Sequence, residues 1–418
     1  MEQSGYHVRD SCRLCLSRNL RLRLCLTPTP PANELVENFN FSDPVQEFPL
    51  YLVSCDDCFH VQLPIVISPE RLFRNYVYVS GTSSTFVKHF HEYASYMIES
   101  WSMGPGNSVL EIGSNDGTML KALKQKGMSV LGIDPALKIA EQATSEGIET
   151  LPVFFNDVVS DAILESRGTF DAVVANNVFA HTDDIRGFAK NVLKCLGKDG
   201  LFFFEVSYLP EVIKNTLFDT IYHEHLSYHH VHPLKRMFSE LGATVVDVKK
   251  VNTHGGSIRC VVKNGRFYHS DNVYEFVRKE HDLGLNSRTQ MDPFRVLEKR
   301  INSLRSSVKD YIYSARSQDR RIFGYGAPAK ATTLMYHFGL GRNDLSYIID
   351  DSPWKQNLYT PGKGVQIFSK DHMDTDPCSD ALVLAWNFSD GIIKMLKDSH
   401  VKRAVVPIPE FQVIELKE

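Results

Sequence analysis

The stretch Phe218-Asp-Thr-Ile-Tyr222-His223-Glu224-His225-Leu-Ser-Tyr-His229-His230 packs four of the chain's 16 histidines into eight residues. Histidine exchanges protons near neutral pH, and a neighbouring carboxylate can orient it. Tyr222 can donate to a developing oxyanion. His223 and His225 are also spaced to chelate a metal, and polar packing would account for the cluster equally simply. His181, in Val178-Phe-Ala-His181-Thr-Asp-Asp184, is a candidate to share the same cavity.

A second set of reactive side chains lies near the start of the chain. Cys12-Arg-Leu-Cys15 and Cys55-Asp-Asp-Cys58 have the spacing of two zinc knuckles, in which each CxxC turns two thiolates toward one ion. The long intervening loop contains Pro28, Pro30 and Pro31, and loop closure grows only slowly costlier with length. No acid or base stands out in the knuckles, so the zinc is expected to be structural. Cys25 is read as a buried spare thiol and His60 as a substitute ligand.

A third motif is a glycine-rich turn. Asn107 to Gly113 reads as a buried strand, Glu111-Ile-Gly-Ser-Asn-Asp-Gly117 as the turn, and Thr118 to Lys126 as a helix. Such a turn brings backbone N–H groups and a helix start to a ligand. Gly113 and Gly117 permit close approach, and Asn115 and Asp116 lie between them; asparagine tolerates the positive φ that the position demands. Asp134 ends the next strand, Ser129 to Asp134, about 20 residues on, where a carboxylate can grip ribose hydroxyls.

These motifs need a scaffold. Further strands are expected at Pro152 to Phe155 with Asn156 and Asp157 at its tip, at Phe170 to Ala175 followed by Asn176 and Asn177, and at Gly200 to Glu205. Alternation with helices makes a parallel α/β sheet. A late hairpin, Ala243 to Val251 and Ser257 to Asn264 around His254-Gly-Gly256, favours a class I methyltransferase sheet, and with it S-adenosylmethionine (SAM), over an NAD-type sheet. Pro293 to Arg316 has helical periodicity. The strand Arg321 to Gly326 then runs through Ala327-Pro-Ala-Lys330 into a helix. Gly324-x-Gly326-x-x-Ala329, with Asp350-Asp351 further on, formally satisfies a dinucleotide fingerprint, so an NAD site is a rival reading for this part. The strands Leu345 to Ile349, Ala381 to Ala385 and Arg403 to Val406 would complete a small second sheet.

Bulk properties narrow the field. The 418 residues suit two or three domains, and 43% apolar with 23% charged residues excludes a disordered chain. A net charge of −4 argues against nucleic-acid and membrane partners. No basic, then apolar, leader is seen, so a cytoplasmic protein with reduced thiols is expected. Oligomeric state is left open, a monomer included.

In their order along nearly the whole chain, CxxC…CxxC, Glu-Ile-Gly-Ser-Asn-Asp-Gly, Phe-Ala-His181, Phe-Asp-Thr-Ile-Tyr-His-Glu-His225-Leu-Ser-Tyr, His254-Gly-Gly-Ser257 and Gly-Tyr-Gly-Ala-Pro-Ala-Lys330 resemble the bacterial nucleotide-sugar C-methyltransferases. The likeness is strongest to the dTDP-sugar C-3′-methyltransferases of antibiotic deoxysugar biosynthesis. The resemblance implies a zinc module over residues 1–75, a Rossmann-like class I SAM methyltransferase domain over 76–272, and a linking helix with a smaller Rossmann-like, substrate-handling α/β domain over 273–418. It implies a small-molecule dTDP-linked 4-keto sugar as substrate. His225 would be the base, with Tyr222, Glu224 and His181 orienting it or stabilising an enolate. Glu111, Gly113, Asn115, Asp116, Gly117, Asp134, Asn156, Asp157 and Asn176 would surround SAM. Tyr76, Tyr78, Ser80, Asn177 and Lys330 would meet the sugar nucleotide. An O- or N-methyltransferase, a zinc-bearing scaffold with an inactive methyltransferase fold, and an NAD-dependent oxidoreductase are the alternatives.

Overall fold

The computed structural model describes residues 5–40, 42–74, 79–82, 84–253, 255–288 and 292–417. Tyr76, Tyr78 and His254 lie outside the described residues.

The N-terminal part is built on an antiparallel pair, Leu20–Thr29 with Phe48–Cys55, extended by Val61–Gln62. Side chains alternate across a strand. Leu24 and Leu26 therefore turn inward and Cys25 between them turns out to solvent, which corrects its reading as a buried thiol. The fourth strand of this sheet comes from far along the chain: Ser227–Tyr228 pairs antiparallel with Val61–Gln62. The cysteine module and the histidine segment thus share one sheet.

After the helix Ser84–Trp101, seven strands form the central sheet. Their spatial order is Ala243–Val251, Ser257–Asn264, Leu196–Ser207, Phe170–Asn176, Ser108–Ile112, Ser129–Ile133 and Thr150–Leu151. The five from Leu196–Ser207 onward run parallel, and Ser257–Asn264 enters antiparallel to Leu196–Ser207. Val173, Val174, Phe202 and Phe203 are wholly buried, as a sheet covered by helices on both faces requires. The last strand lies before the segment expected: it is Thr150–Leu151, and none of Pro152 to Phe155 is strand. Pro152 follows its end, and Asn156 is instead the N-cap of the helix Asp157–Arg167, its Oδ1 accepting from the Val159 N–H at 2.9 Å.

Asp292 caps the long helix Pro293–Ser317, with proline at its first position. The C-terminal sheet follows in the order Ile367–Phe368, Ile348–Ile349, Ile322–Tyr325, Asp380–Val383, Arg403–Val406 and Gln412–Glu415, parallel except for the last. Its helix Ala329–Phe338 lies against the segment that precedes the histidines. Thr333 Oγ1 donates to the Ile221 carbonyl at 2.8 Å, and Thr332 Oγ1 to the Ala32 carbonyl at 3.0 Å. Residues 218–228 are therefore held by all three parts of the molecule. Among the described residues, no helix is long and apolar enough to cross a membrane.

Candidate active site

The glycine-rich turn closes on the carboxylate that ends the neighbouring strand. Gly113, Asn115 and Gly117 all have positive φ (70°, 52° and 73°). A side chain on Gly113 would run into Val178. The Gly113 N–H donates to the Ile133 carbonyl at 2.7 Å. Asp134 accepts from the backbone N–H of Asn115 and of Ala136, both at 2.9 Å. Asn115 Oδ1 accepts from the Ser80 N–H and Asp116 Oδ2 from the Gly81 N–H, each at 2.9 Å, so Ser80 is tied to this turn through its backbone. Glu111 is buried below the turn. Its Oε1 accepts from Asn176 Nδ2 at 3.2 Å, and Oε2 has no hydrogen-bond partner among the described residues. Burial, reinforced by the charges of Asp116 and Asp134, raises the Glu111 pKa, and burial raises that of Asp134. Carboxylates so placed gain from a ligand that brings donors to them. Asn156 and Asp157 are exposed at the start of their helix, and Asn156 spends its side chain on the cap.

The predicted acid–base residues form a column of rings. Phe73 stacks on His181 (5.5 Å between centroids, 7° between planes), His181 on His225 (5.1 Å, 28°), and His225 lies 4.2 Å from Tyr222. The Thr220 carbonyl, 2.8 Å from His225 Nδ1, can only accept, so Nδ1 carries the proton. Nε2 then holds the lone pair, and the Tyr222 hydroxyl donates to it at 3.0 Å. Burial lowers the His225 pKa to about 4, against a weaker pull upward from the Thr220 hydrogen bond. The ring is therefore a neutral acceptor at pH 7. Glu224, buried, accepts from Asn33 Nδ2 at 2.7 Å.

The other histidines of this segment point to different partners. His223 Nε2 donates to the Pro49 carbonyl at 3.1 Å, His230 Nε2 lies 3.0 Å from Asn286 Oδ1, and His229 stacks on Phe179 at 5.5 Å. His60 lies 3.2 Å from Ser227 Oγ and stays outside the cysteine cluster. Among the described residues, the one group of His, Cys, Asp and Glu that converges on a possible metal position is Cys12, Cys15, Cys55 and Cys58, all Sγ atoms lying within 4.8 Å of one another. His60 lies outside this group, and His223 and His225 each spend a ring nitrogen on a different carbonyl, Pro49 and Thr220, instead of facing one ion. Cys12 to Cys58 and Cys15 to Cys55 are 3.5 Å apart and unbonded. A zinc tetrahedron with bonds of about 2.3 Å has edges of about 3.8 Å, so the donor set fits that ion.

Two sets of contacts, around Asp219 and around Glu205, are not foreseen from the sequence, although Lys330 is singled out there. Asp219, wholly buried on the turn Phe218–Thr220, accepts from Trp386 Nε1 at 2.7 Å. Lys330 Nζ lies 3.6 Å from the centre of the Trp386 ring and donates to Asn387 Oδ1 at 2.7 Å. Burial pushes Asp219 up to about 6 and Lys330 down to about 8, each partly offset by the other's charge. Glu205, in register with Asn176, is buried against Arg259 and His89; burial acts to raise its pKa, but those two partners outweigh it and hold it low. Asn177 has φ 56° and donates its N–H to the Glu205 carbonyl at 2.9 Å. The C-terminal glycine turn repeats the first one in outline. The Gly326 N–H donates to the Ile349 carbonyl at 2.7 Å, and Asp350 accepts from the Ala327 and Ser352 N–H groups. A side chain on Gly326 would strike Ala385, and one on Gly324 would sit 2.9 Å from Ile348 and Leu384, so both glycines serve close packing.

The sheet order, the single reversed strand and the acid-flanked glycine turn define a class I SAM-dependent methyltransferase. Family profiles agree: "Putative zinc binding domain" matches residues 12–73, "Methyltransferase domain" residues 89–248 and "C-methyltransferase C-terminal domain" residues 252–409. The chain is 33% identical over 409 residues to the C-methyltransferase NovU of Streptomyces niveus, covering 97% of each protein. It belongs to that C-methyltransferase family. A ubiquinone biosynthesis O-methyltransferase of Methylobacterium nodulans is 29% identical over 99 residues, 23% of this chain and 39% of that one. A solved structure, the magnesium protoporphyrin IX methyltransferase of Synechocystis PCC 6803, covers 43% of this chain and 83% of its own, with 13% identity and a TM-score of 0.35.

Proposed function

We propose that the chain methylates C-3 of a dTDP-linked 4-keto deoxysugar, with His225 as the general base. The observation that carries this reading is the fixed tautomer of His225: Nδ1–H is committed to Thr220, leaving an unprotonated Nε2 at the side of Tyr222. A ketone acidifies the hydrogen on the adjacent carbon. With substrate bound, the Tyr222 O–H turns from Nε2 to the ketone oxygen; Nε2, so freed, takes the C-3 proton while the hydroxyl donates to the enolate oxygen as its charge develops. When bound, SAM supplies a methyl group on a sulfonium, which C-3 takes up while S-adenosylhomocysteine leaves. The proton on His225 then passes to solvent. His181 steadies the His225 ring by stacking, and Glu224 is held ready by Asn33.

SAM is held between the glycine turn, Asp134 at the ribose and the Glu111–Asn176 pair. Asn156 and Asp157 belong to the outer wall of that cradle. Lys330 meets the substrate diphosphate, and Asn177 and Ser80 line the sugar side. Zinc on the four cysteines ties the two knuckles together. The domain limits are taken as 1–75, 76–272 and 273–418. The test is incubation with SAM and a panel of dTDP-4-keto sugars, followed by mass spectrometry and NMR. One new methyl on C-3 is expected; transfer to oxygen or nitrogen instead would refute the reading.

A further inference from the structure

Nothing in the proposed chemistry uses Arg13, yet it is the most thoroughly enclosed charge in the cysteine module. It sits inside the first knuckle, between Cys12 and Cys15, with a relative exposure of 1%. Its Nη1 donates to two carbonyls, Leu63 at 2.6 Å and Leu226 at 3.2 Å. Its Nε donates to Asp183 Oδ1 at 3.0 Å, and Nη2 lies 2.9 Å from the same oxygen. The Arg13 backbone N–H donates to Gln62 Oε1 at 2.8 Å, and Gln62 pairs in register with Ser227.

Leu226 directly follows His225, and Asp183 is two residues beyond His181. One guanidinium therefore grips both of the loops whose imidazoles stack at 5.1 Å. The loops are otherwise joined at this point by the Ser227 N–H on the Ala180 carbonyl, 3.1 Å. A buried cation is tolerated only when its partners are placed to receive it, and a planar fork with five donors fixes the relative position of several acceptors at once.

We propose that Arg13 is a positioning residue through which the cysteine knuckle sets the spacing of the His181–His225 pair. Its kinetic consequence rests on the reading of His225 as base; the positioning itself does not. Lysine keeps the charge but cannot reach Asp183, Leu63 and Leu226 together. The experiment uses full-length protein as purified, in the parent and in Arg13→Lys, with Asp183→Asn as a milder second variant that leaves Arg13 in place. The imidazole ¹⁵N signals of His181 and His225, identified by their loss in His181→Asn and His225→Asn, are recorded without substrate. SAM affinity serves as the folding control, and kcat and KM for the sugar nucleotide are measured alongside.

In both variants the two imidazole signals should move while those of other histidines stay, except that of His7, which lies 3.5 Å from Asp183 and is left out of the comparison for Asp183→Asn. SAM affinity and KM should remain near the parent's, and kcat should fall at least about tenfold, as small misplacements of reacting groups do. Unmoved signals in a variant that binds SAM would overturn the proposal, whatever its turnover. Moved signals with parental kcat would uphold the positioning role and count against His225 as the base. Should Arg13→Lys fail to bind SAM, Asp183→Asn decides by the same criteria.

Discussion

Replacing His229 by leucine tests whether a buried histidine of the cluster other than His225 is needed for turnover. His229 is wholly buried, and burial holds its pKa at about 3, far below the ordinary value of about 6.5. The native protein therefore keeps this ring neutral at pH 5, whereas the unfolded chain protonates it. A depressed folded-state pKa gives a stability contribution that is intact above the unfolded value and is lost as pH falls toward the folded one. Integrated between about pH 7 and pH 5, the loss assigned to this one ring is about 2 kcal/mol. Buried carboxyls act in the opposite sense: Glu280, raised by burial to about 7, and Asp219, raised to about 6, favour the native state on acidification. Both are present in parent and variant, so they cancel in the comparison. Taking each protein's own pH 7 value as reference also removes the packing change. His229→Leu should thus lose about 2 kcal/mol less than the parent between the two pH values, a difference of about 0.7 M in urea midpoint for an m-value of about 3 kcal/mol/M. Urea titrations of the full chain at the two pH values measure it. The same variant should still transfer methyl groups. Identical pH dependence in both proteins would refute the burial argument, and a folded but inactive His229→Leu would move this residue into the catalytic machinery.

Other perturbations reach the remaining parts of the site. Tyr222→Phe removes the hydroxyl on His225 Nε2 and should lower kcat by about ten- to a hundredfold, with SAM affinity unchanged by calorimetry. Lys330→Met should raise the KM for the sugar nucleotide about tenfold or more with little change in kcat, as steady-state kinetics will show. Cys58→Ser should remove the zinc, about one per chain in the parent by elemental analysis, and lower the thermal midpoint.

Local signals in the sequence were strong wherever a neighbour in the chain decides the structure. The hairpin Ala243–Val251 and Ser257–Asn264 falls where alternation and the Gly-Gly break put it. The glycine turn follows from Gly113, Asn115 and Gly117, whose backbone angles few other residues accept. Contacts between distant segments were not legible. His223, His229 and His230 look as reactive in sequence as His225, and nothing local shows that they turn to Pro49, Phe179 and Asn286 while His225 stacks on His181. Cys25 faces solvent because of its parity in a strand whose neighbours, Leu24 and Leu26, claim the core. The strand expected at Pro152 to Phe155 forms instead at Thr150–Leu151, before the proline, which has no N–H to give to a ladder. Arg13 and Trp386 act across the chain, on Leu226 and Asp219, and no spacing rule announces such a partner.

Hydrogen exchange on the substrate tests the role of His225 most directly. With a dTDP-4-keto sugar and S-adenosylhomocysteine in D₂O, no methyl can be transferred, and deprotonation alone is seen as deuterium entering C-3. The parent should introduce deuterium there, while His225→Asn, still binding the nucleoside, should not. Deuterium entering at the parental rate in His225→Asn would show that another group removes the proton.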